Sequence, residues 1–249
     1  MIAFYRCLKS EFLKVRHMYF WLWHIVIPIS ISGVFLAYSA SVPRNAYGMV
    51  EAYVQVLGIG FPFLIALFSV MVSEQEMSAG HYQILLCSPK RLPAFLSKLM
   101  FLFLAGVLAV FFACFLFGAG YTFLLQRSPV SILFYGKASL ILLASCFHLY
   151  IWHLFLSLRF NKGLSIGVGI TESLISALFL TGMGEGRWQY TPCSWASRFV
   201  TYALAKEKGS IFDGPDVSLA ISLCIFTTIA AFLLYCVWSC RWEGGNTSD

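Results

Sequence analysis

The sequence predicts an all-α integral membrane protein. It has six transmembrane helices, an N-terminal amphipathic interface helix, a short cytoplasmic helix between spans two and three, and an external helical segment between spans five and six. Three observations carry this reading. Of the 249 residues, 59% are hydrophobic and only 11% are charged, where soluble domains carry roughly a quarter. Six apolar runs, near 18–40, 52–72, 96–125, 132–157, 163–182 and 217–239, have about the length one spanning helix needs. None alternates polar and apolar residues as barrel strands do, so helices must satisfy the backbone in lipid. The chain 1–249 reads as a single membrane domain.

The first element is the segment "MIAFYRCLKSEFLKVRH" (residues 1–17). At helical spacing Phe4, Tyr5, Leu8, Phe12 and Val15 form one arc, and Arg6, Ser10, Lys14 and His17 the opposite one, as in a basic helix lying flat in the inner interface. The first apolar run has no small-residue cleavage pattern after it and is expected to stay as a span.

Between the second and third runs, residues 73–98 carry Glu74, Glu76, Lys90, Arg91 and Lys98. Met77, His81, Ile84 and Leu85 fall on one helical face, and Pro89 and Pro93 then punctuate the chain. Periodicity leaves two readings open, a crosswise helix that docks into another protein's groove or an ordinary solvated loop.

The fifth run places Glu172 near the bilayer centre, where a carboxylate costs about 2.5–3.5 kcal/mol. His148 in the fourth run lies at similar depth, so a Glu172–His148 hydrogen bond is expected. His153 is assigned to a different face from His148. Gly163 and Gly167, with Gly169 following, read as a close-packing motif.

In the external segment 183–216, Thr191 and Pro192 signal a helix start and Gly209 its close. Trp195, Phe199 and Tyr202 share one face, preceded by Trp188 and Tyr190. The expected helix lies on or dips into the outer leaflet, with Ser194, Arg198 and Thr201 accessible on its other face. It serves either as a plain anchor or as a contact for a ligand at the outer leaflet.

Lys and Arg crowd the termini and the 73–98 and 159–162 connections, which puts both termini in the cytoplasm. This bias accounts for most of the net charge of +6; the scatter of basic residues excludes a nucleic-acid surface. The eight cysteines form no CxxC pair, and most lie in apolar runs as small hydrophobes. No metal site, catalytic constellation or phosphate-cradling GxxxxGK[ST] loop is present, so the chain is read as a non-enzyme without cofactors of its own.

One family fits the order of these features. The first span carries His24, Pro28 and Tyr38 and the second Pro62; Glu74-Gln75-Glu76, Ala79-Gly80, Gln83, Leu85-Leu86 and Lys98 follow. In these the chain resembles the permease subunits of type-2 ABC exporters, and among them the lantibiotic immunity permeases of the G type (MutG/NisG-like). The likeness covers the first 100 residues and beyond them rests on topology. It implies a bacterial cytoplasmic membrane, a coupling helix built from Glu74, Gln75, Glu76, Met77, Gly80, His81, Ile84 and Leu85, and an ATP-binding subunit dimer that supplies ATP and Mg. It also implies a second, different permease subunit and an antimicrobial peptide expelled from the membrane for self-immunity. Trp188, Tyr190, Trp195, Phe199 and Tyr202 would suit contact with that peptide or with outer-leaflet lipid. Two alternatives stay open: an exporter permease for a lipid, another antibiotic or an ion, and a membrane scaffold or enzyme outside the ABC class.

Overall fold

The computed structural model describes residues 2–16, 18–42, 45–87, 91–209 and 215–244; His17, Arg44, Pro89 and Lys90 fall outside this set, as does the side chain of Ile84. The described residues form helices and no strand. They are α1 (Ile2–Lys14), α2 (Phe20–Ser41), α3 (Ala46–Ser78), α4 (Gln83–Leu86), α5 (Arg91–Ala119, prolonged by a π-turn at Gly120–Leu124), α6 (Ile132–Arg159), α7 (Lys162–Leu178), α8 (Trp195–Glu207) and α9 (Pro215–Arg241). Short 3-10 turns at Gly182–Gly184, Trp188–Tyr190 and Pro192–Ser194 join α7 to α8.

Five of these helices, α2, α3, α5 with its π-turn, α6 and α9, are long and apolar enough to cross a bilayer. Their outward faces are apolar as well. On α9, Ile221, Ile225, Ile229 and Leu233 recur every fourth residue and all are exposed, which a water-soluble fold would not leave uncovered. The chain is membrane-embedded.

The fifth apolar run departs from expectation. Its helix, α7, stops at Leu178 after 17 residues, about 25 Å of rise against the roughly 30 Å of a hydrocarbon core. The remaining distance along α3 is taken up by α8. Lys162 at the start of α7 pairs with Glu74 at the end of α3, and Ser173 accepts from the Phe63 amide. Beyond that level α8 takes over, with Thr201 accepting from Gln55 and Lys208 over the Tyr47 ring. Two helices in relay thus accompany one long helix.

Several links gather at one end of the bundle, here called the near end. Lys14 and Lys98 reach Glu76, Ser73 donates to the Ser157 carbonyl, and Arg91 donates to the Trp242 carbonyl. The ends of α1, α3, α6 and α9 and the starts of α5 and α7 therefore meet there. Arg127, Lys137 and Lys208 lie at the opposite, far end, where Lys137 pairs with Glu207.

α3 is the central element and packs against α6, α7 and α8. Polar side chains tie its apolar surface down, as expected where lipid offers no hydrophobic drive between helices. The Tyr53 hydroxyl donates to the Ala113 carbonyl at 2.7 Å and meets Ser32 Oγ at 2.9 Å, joining α2, α3 and α5. Small residues permit the closest crossings. A Cβ on Gly58 would stand 2.7 Å from the Ser197 backbone, and one on Gly169 would stand 2.6 Å from Ala66 Cβ. Gly163 and Gly167 touch no neighbouring helix, so within this chain only Gly169 does the packing assigned to the GxxxG motif.

Gly58→Ala should therefore destabilise the detergent-solubilised protein by about 1–3 kcal/mol, the range of overpacking. Gly60→Ala, on the same helix with open space around it, should leave the melting temperature unchanged or raise it. Equal behaviour of the two variants in thermal unfolding would contradict the α3–α8 contact.

Candidate functional site

The near end carries a buried network of four charges. Lys98 Nζ lies 2.6 Å from Glu11 and 2.9 Å from Glu76, and Lys14 Nζ lies 2.7 Å from Glu11 and 2.5 Å from Glu76. The Lys98 side chain is 0% exposed and that of Glu76 1%. Two acids and two bases alternate, so the net charge is zero and each ion faces opposite neighbours. Burial pushes the Lys14 ammonium toward losing its proton, but Glu11 and Glu76 together outweigh it and raise its pKa above the ordinary lysine value. A raised lysine pKa stabilises the fold fully below its unfolded value of about 10.5 and loses that effect as pH climbs through the folded value, so the link is intact at neutral pH.

This network revises two expectations. α1 packs through Leu8, Phe12 and Val15 of the expected apolar arc against the helix bundle, but Glu11 lies on the same inward side and Lys14 turns to α3 instead of solvent; Tyr5 faces out. Glu76, expected as a docking charge, is an interior ion. Sequence reasoning missed Glu11 and the inward role of Lys98. A signal was present for Lys98, a lone charge in the mainly apolar stretch 94–104, whereas Glu11 sits among Lys9, Ser10 and Lys14 and gave none.

The stretch expected as one crosswise helix is built differently. Glu74, Gln75, Glu76 and Met77 are the last turns of α3. The chain then reverses through Gly80, His81 and Tyr82, all at positive φ, which only glycine adopts without strain, and makes the single turn of α4. Met77, His81 and Leu85 therefore share no continuous helical face. Leu85 and Tyr82 are buried, with Tyr82 edge-on to Trp242 and bonded to Ser73. Glu74, Ser78, His81, Gln83 and Cys87 stay exposed. A shallow cleft between Met18, Met71, Glu74, Gln75, Ser78 and Ala79 adjoins them.

Within the apolar region, Glu172 bonds His153 and not His148. Its Oε2 lies 2.8 Å from His153 Nε2, and His153 Nδ1 meets Ser165 Oγ at 3.2 Å. His148 instead sets its ring edge-on to Trp195 at 5.1 Å. Among the described residues neither of its nitrogens has a hydrogen-bond partner. The relative phase of α6 and α7 decides this, because Ser165 and Glu172, two turns apart, bracket one imidazole.

The aromatic segment is interior rather than interfacial. α8 packs along α3 and α6, and Trp188 and Trp195 are each 1% exposed, whereas Tyr190 is 66% exposed. Trp188 packs against Phe199 and Tyr202, which are half-buried. The face expected to be accessible is not: Ser194 is fully buried and Arg198 is 8% exposed. Arg198 donates to the carbonyls of Phe179 and Thr181 and pairs with Glu185. A cation thus holds the carbonyls just past the end of α7, of which that of Thr181 also accepts from the Gly184 amide, and the helix dipole there favours positive charge. Thr191 does not cap through its side chain, which donates to the Arg187 carbonyl. Gly209 closes α8 at φ 86° as expected.

Removing one partner from a buried ion network leaves an uncompensated charge, so Lys98→Met should cost about 3–5 kcal/mol. Lys137→Met, which breaks a half-exposed pair, should cost at most about 1 kcal/mol. Chemical or thermal unfolding of the two variants checks the contrast.

Glu172→Leu and His153→Leu should each destabilise the protein, and the double variant by less than their sum. His148→Leu should stay within about 1.5 kcal/mol of wild type. Additive losses at 172 and 153 would contradict the pair.

Compared with protein-family models, curated proteins and solved structures, the chain matches none.

Proposed function

We propose that this chain is the membrane-spanning permease subunit of an ABC exporter. It works with a separate ATPase dimer and a second, different permease to expel lantibiotic-type peptides from a bacterial cytoplasmic membrane. The observation that carries the reading is the near-end reversal at 79–87. It offers a small polar surface of Glu74, Ser78, His81 and Gln83, while Tyr82 and Leu85 fix it to α3 and the end of α9. A partner that moves this surface pulls on several helices at once, which is what transmission of ATP-driven motion requires. ATP and Mg belong to the partner subunit.

In this reading the membrane is crossed six times, the fifth crossing being made jointly by α7 and α8. The near end is cytoplasmic, in keeping with Arg16, Arg91, Arg159, Lys162 and Arg241 around it. Lys208→Cys at the far end should then react with an impermeant thiol reagent on intact cells, while Cys87 and Cys240, both exposed, should react only after permeabilisation. Labelling of Cys87 in intact cells would reverse the orientation.

The docking test uses the surface residues and leaves the ion network alone. Combining Glu74→Lys, His81→Ala and Gln83→Ala should lower recovery of the ATPase subunit in mild detergent by about tenfold or more, equivalent to ~1.4 kcal/mol. Membrane levels and immunity-independent stability should be unchanged. Wild-type recovery of the ATPase, with normal protection of cells, would reject the assignment. Glu76→Lys is not a docking probe, because it places a third ammonium beside Lys14 and Lys98 and should prevent folding.

A further inference from the structure

We propose that Glu172, His153 and Ser165 form a proton-binding site within the membrane, in which the imidazole changes tautomer as Glu172 gains or loses its proton. The inference rests on these three side chains and their depth, not on the load the chain exports. Ser173, the neighbour of Glu172, accepts from the Phe63 amide, which sets the site level with the middle of α3, Ala46–Ser78. The His153 side chain is 0% exposed and that of Glu172 19%, so the imidazole is closed off while the carboxyl keeps one open edge.

These groups can be fully hydrogen-bonded in two ways that differ by one proton. With Glu172 ionised, His153 Nε2–H donates to Glu172 Oε2 across 2.8 Å, and the Ser165 hydroxyl donates to Nδ1 across 3.2 Å. With Glu172 protonated, its hydroxyl donates to Nε2 and Nδ1–H donates to Ser165 Oγ, while Ser165 donates to the His153 carbonyl at 3.4 Å. That second acceptor for the Ser165 hydroxyl completes the protonated state, because a neutral imidazole has one donor and one acceptor nitrogen. The balance is a single proton: one is gained at Nδ1 as the Nε2 proton passes to Oε2, and only N–H and O–H bonds change. Depth disfavours the charged carboxylate, and the imidazole N–H favours it, so the site can exchange its proton. The elements packed on α7 are α3, α6 and the Pro192–Ser194 turn. Among the described residues, the titratable groups facing the pair are His148 and Cys146 of α6 and Cys193 of the turn. α3 carries none between Tyr53 and Glu74. None of these three is a fixed charge.

The test uses the full chain reconstituted in lipid with isotope-labelled histidine, followed by infrared difference spectroscopy and solid-state NMR from acid to alkaline pH. At acid pH the infrared spectrum should show the carbonyl stretch of a protonated carboxyl group, lost on raising the pH. Glu172→Gln should remove that band and Glu185→Gln should keep it. The His153 ring should carry its proton on Nε2 at alkaline pH and on Nδ1 at acid pH. Its resonances are identified by their loss in His153→Asn or, should that variant not fold, by their change in Ser165→Ala. Ser165→Ala leaves Nδ1–H without an acceptor and should lower the midpoint by about one pH unit, a tenfold loss of proton affinity. A band that is absent at every pH or survives Glu172→Gln would overturn the proposal. So would a His153 ring protonated on both nitrogens at acid pH, or a midpoint unmoved in Ser165→Ala.

Discussion

Four charges, three of them buried and Lys14 partly so, hold the near end of this protein together. Glu11, Lys14, Glu76 and Lys98 come from α1, α3 and α5, and α1 also packs on α5, with Phe12 edge-on to Phe101. Each ion would be costly to bury alone, and the alternating arrangement makes all four tolerable only together. The consequence is a fixed registry. α1 cannot peel away from α5, and α3 cannot rotate, without leaving a charge without its partner. Such networks contribute less to net stability than their Coulomb energies suggest, but losing one member is costly. The near-end reversal at 79–87 inherits this rigidity, since it starts three residues after Glu76.

The far half is organised by a different constraint. α7 ends in the middle of the bundle, and a helix that ends away from water must find partners for its last carbonyls. The amides of Phe179, Leu180 and Thr181 supply them to Ile175, Ala177 and Leu178, and Arg198 of α8 holds the next carbonyls, those of Phe179 and Thr181. The same residue therefore ties the turn after α7 to α8. Gly58 lets the start of α8 come against α3 at backbone distance, and Trp195 fills the space beside His148. Phe199 and Tyr202, which read as interfacial anchors, thus line the cleft between α6, α8 and α9.

The spanning helices were readable as apolar runs because lipid enforces helix formation over that length. Their ends were not, because helices overhang the apolar layer. α3 extends from 46 to 78 where the run covers 52–72, and α5 starts at Arg91 within the charged stretch. The break after Leu178 was hidden because "LFLTG" continues the apolar pattern, and Arg198, which holds the turn that follows, lies far away in sequence. The partner of Glu172 was missed because depth alone cannot choose between His148 and His153; the phase between α6 and α7 chooses. Glu76 looked like a surface charge for want of its partners, which come from residue 98 on one side and residue 14 on the other.

Hydrogen exchange followed by mass spectrometry on Lys98→Met in a lipid nanodisc tests the central role of the ion network most directly, because it resolves opening segment by segment. The account predicts that protection is lost together in α1 and in the stretch from Glu74 to Leu86, while α6, α8 and the far half of α3 keep wild-type rates. Unchanged protection in both near-end segments, or loss confined to one of them, would contradict it.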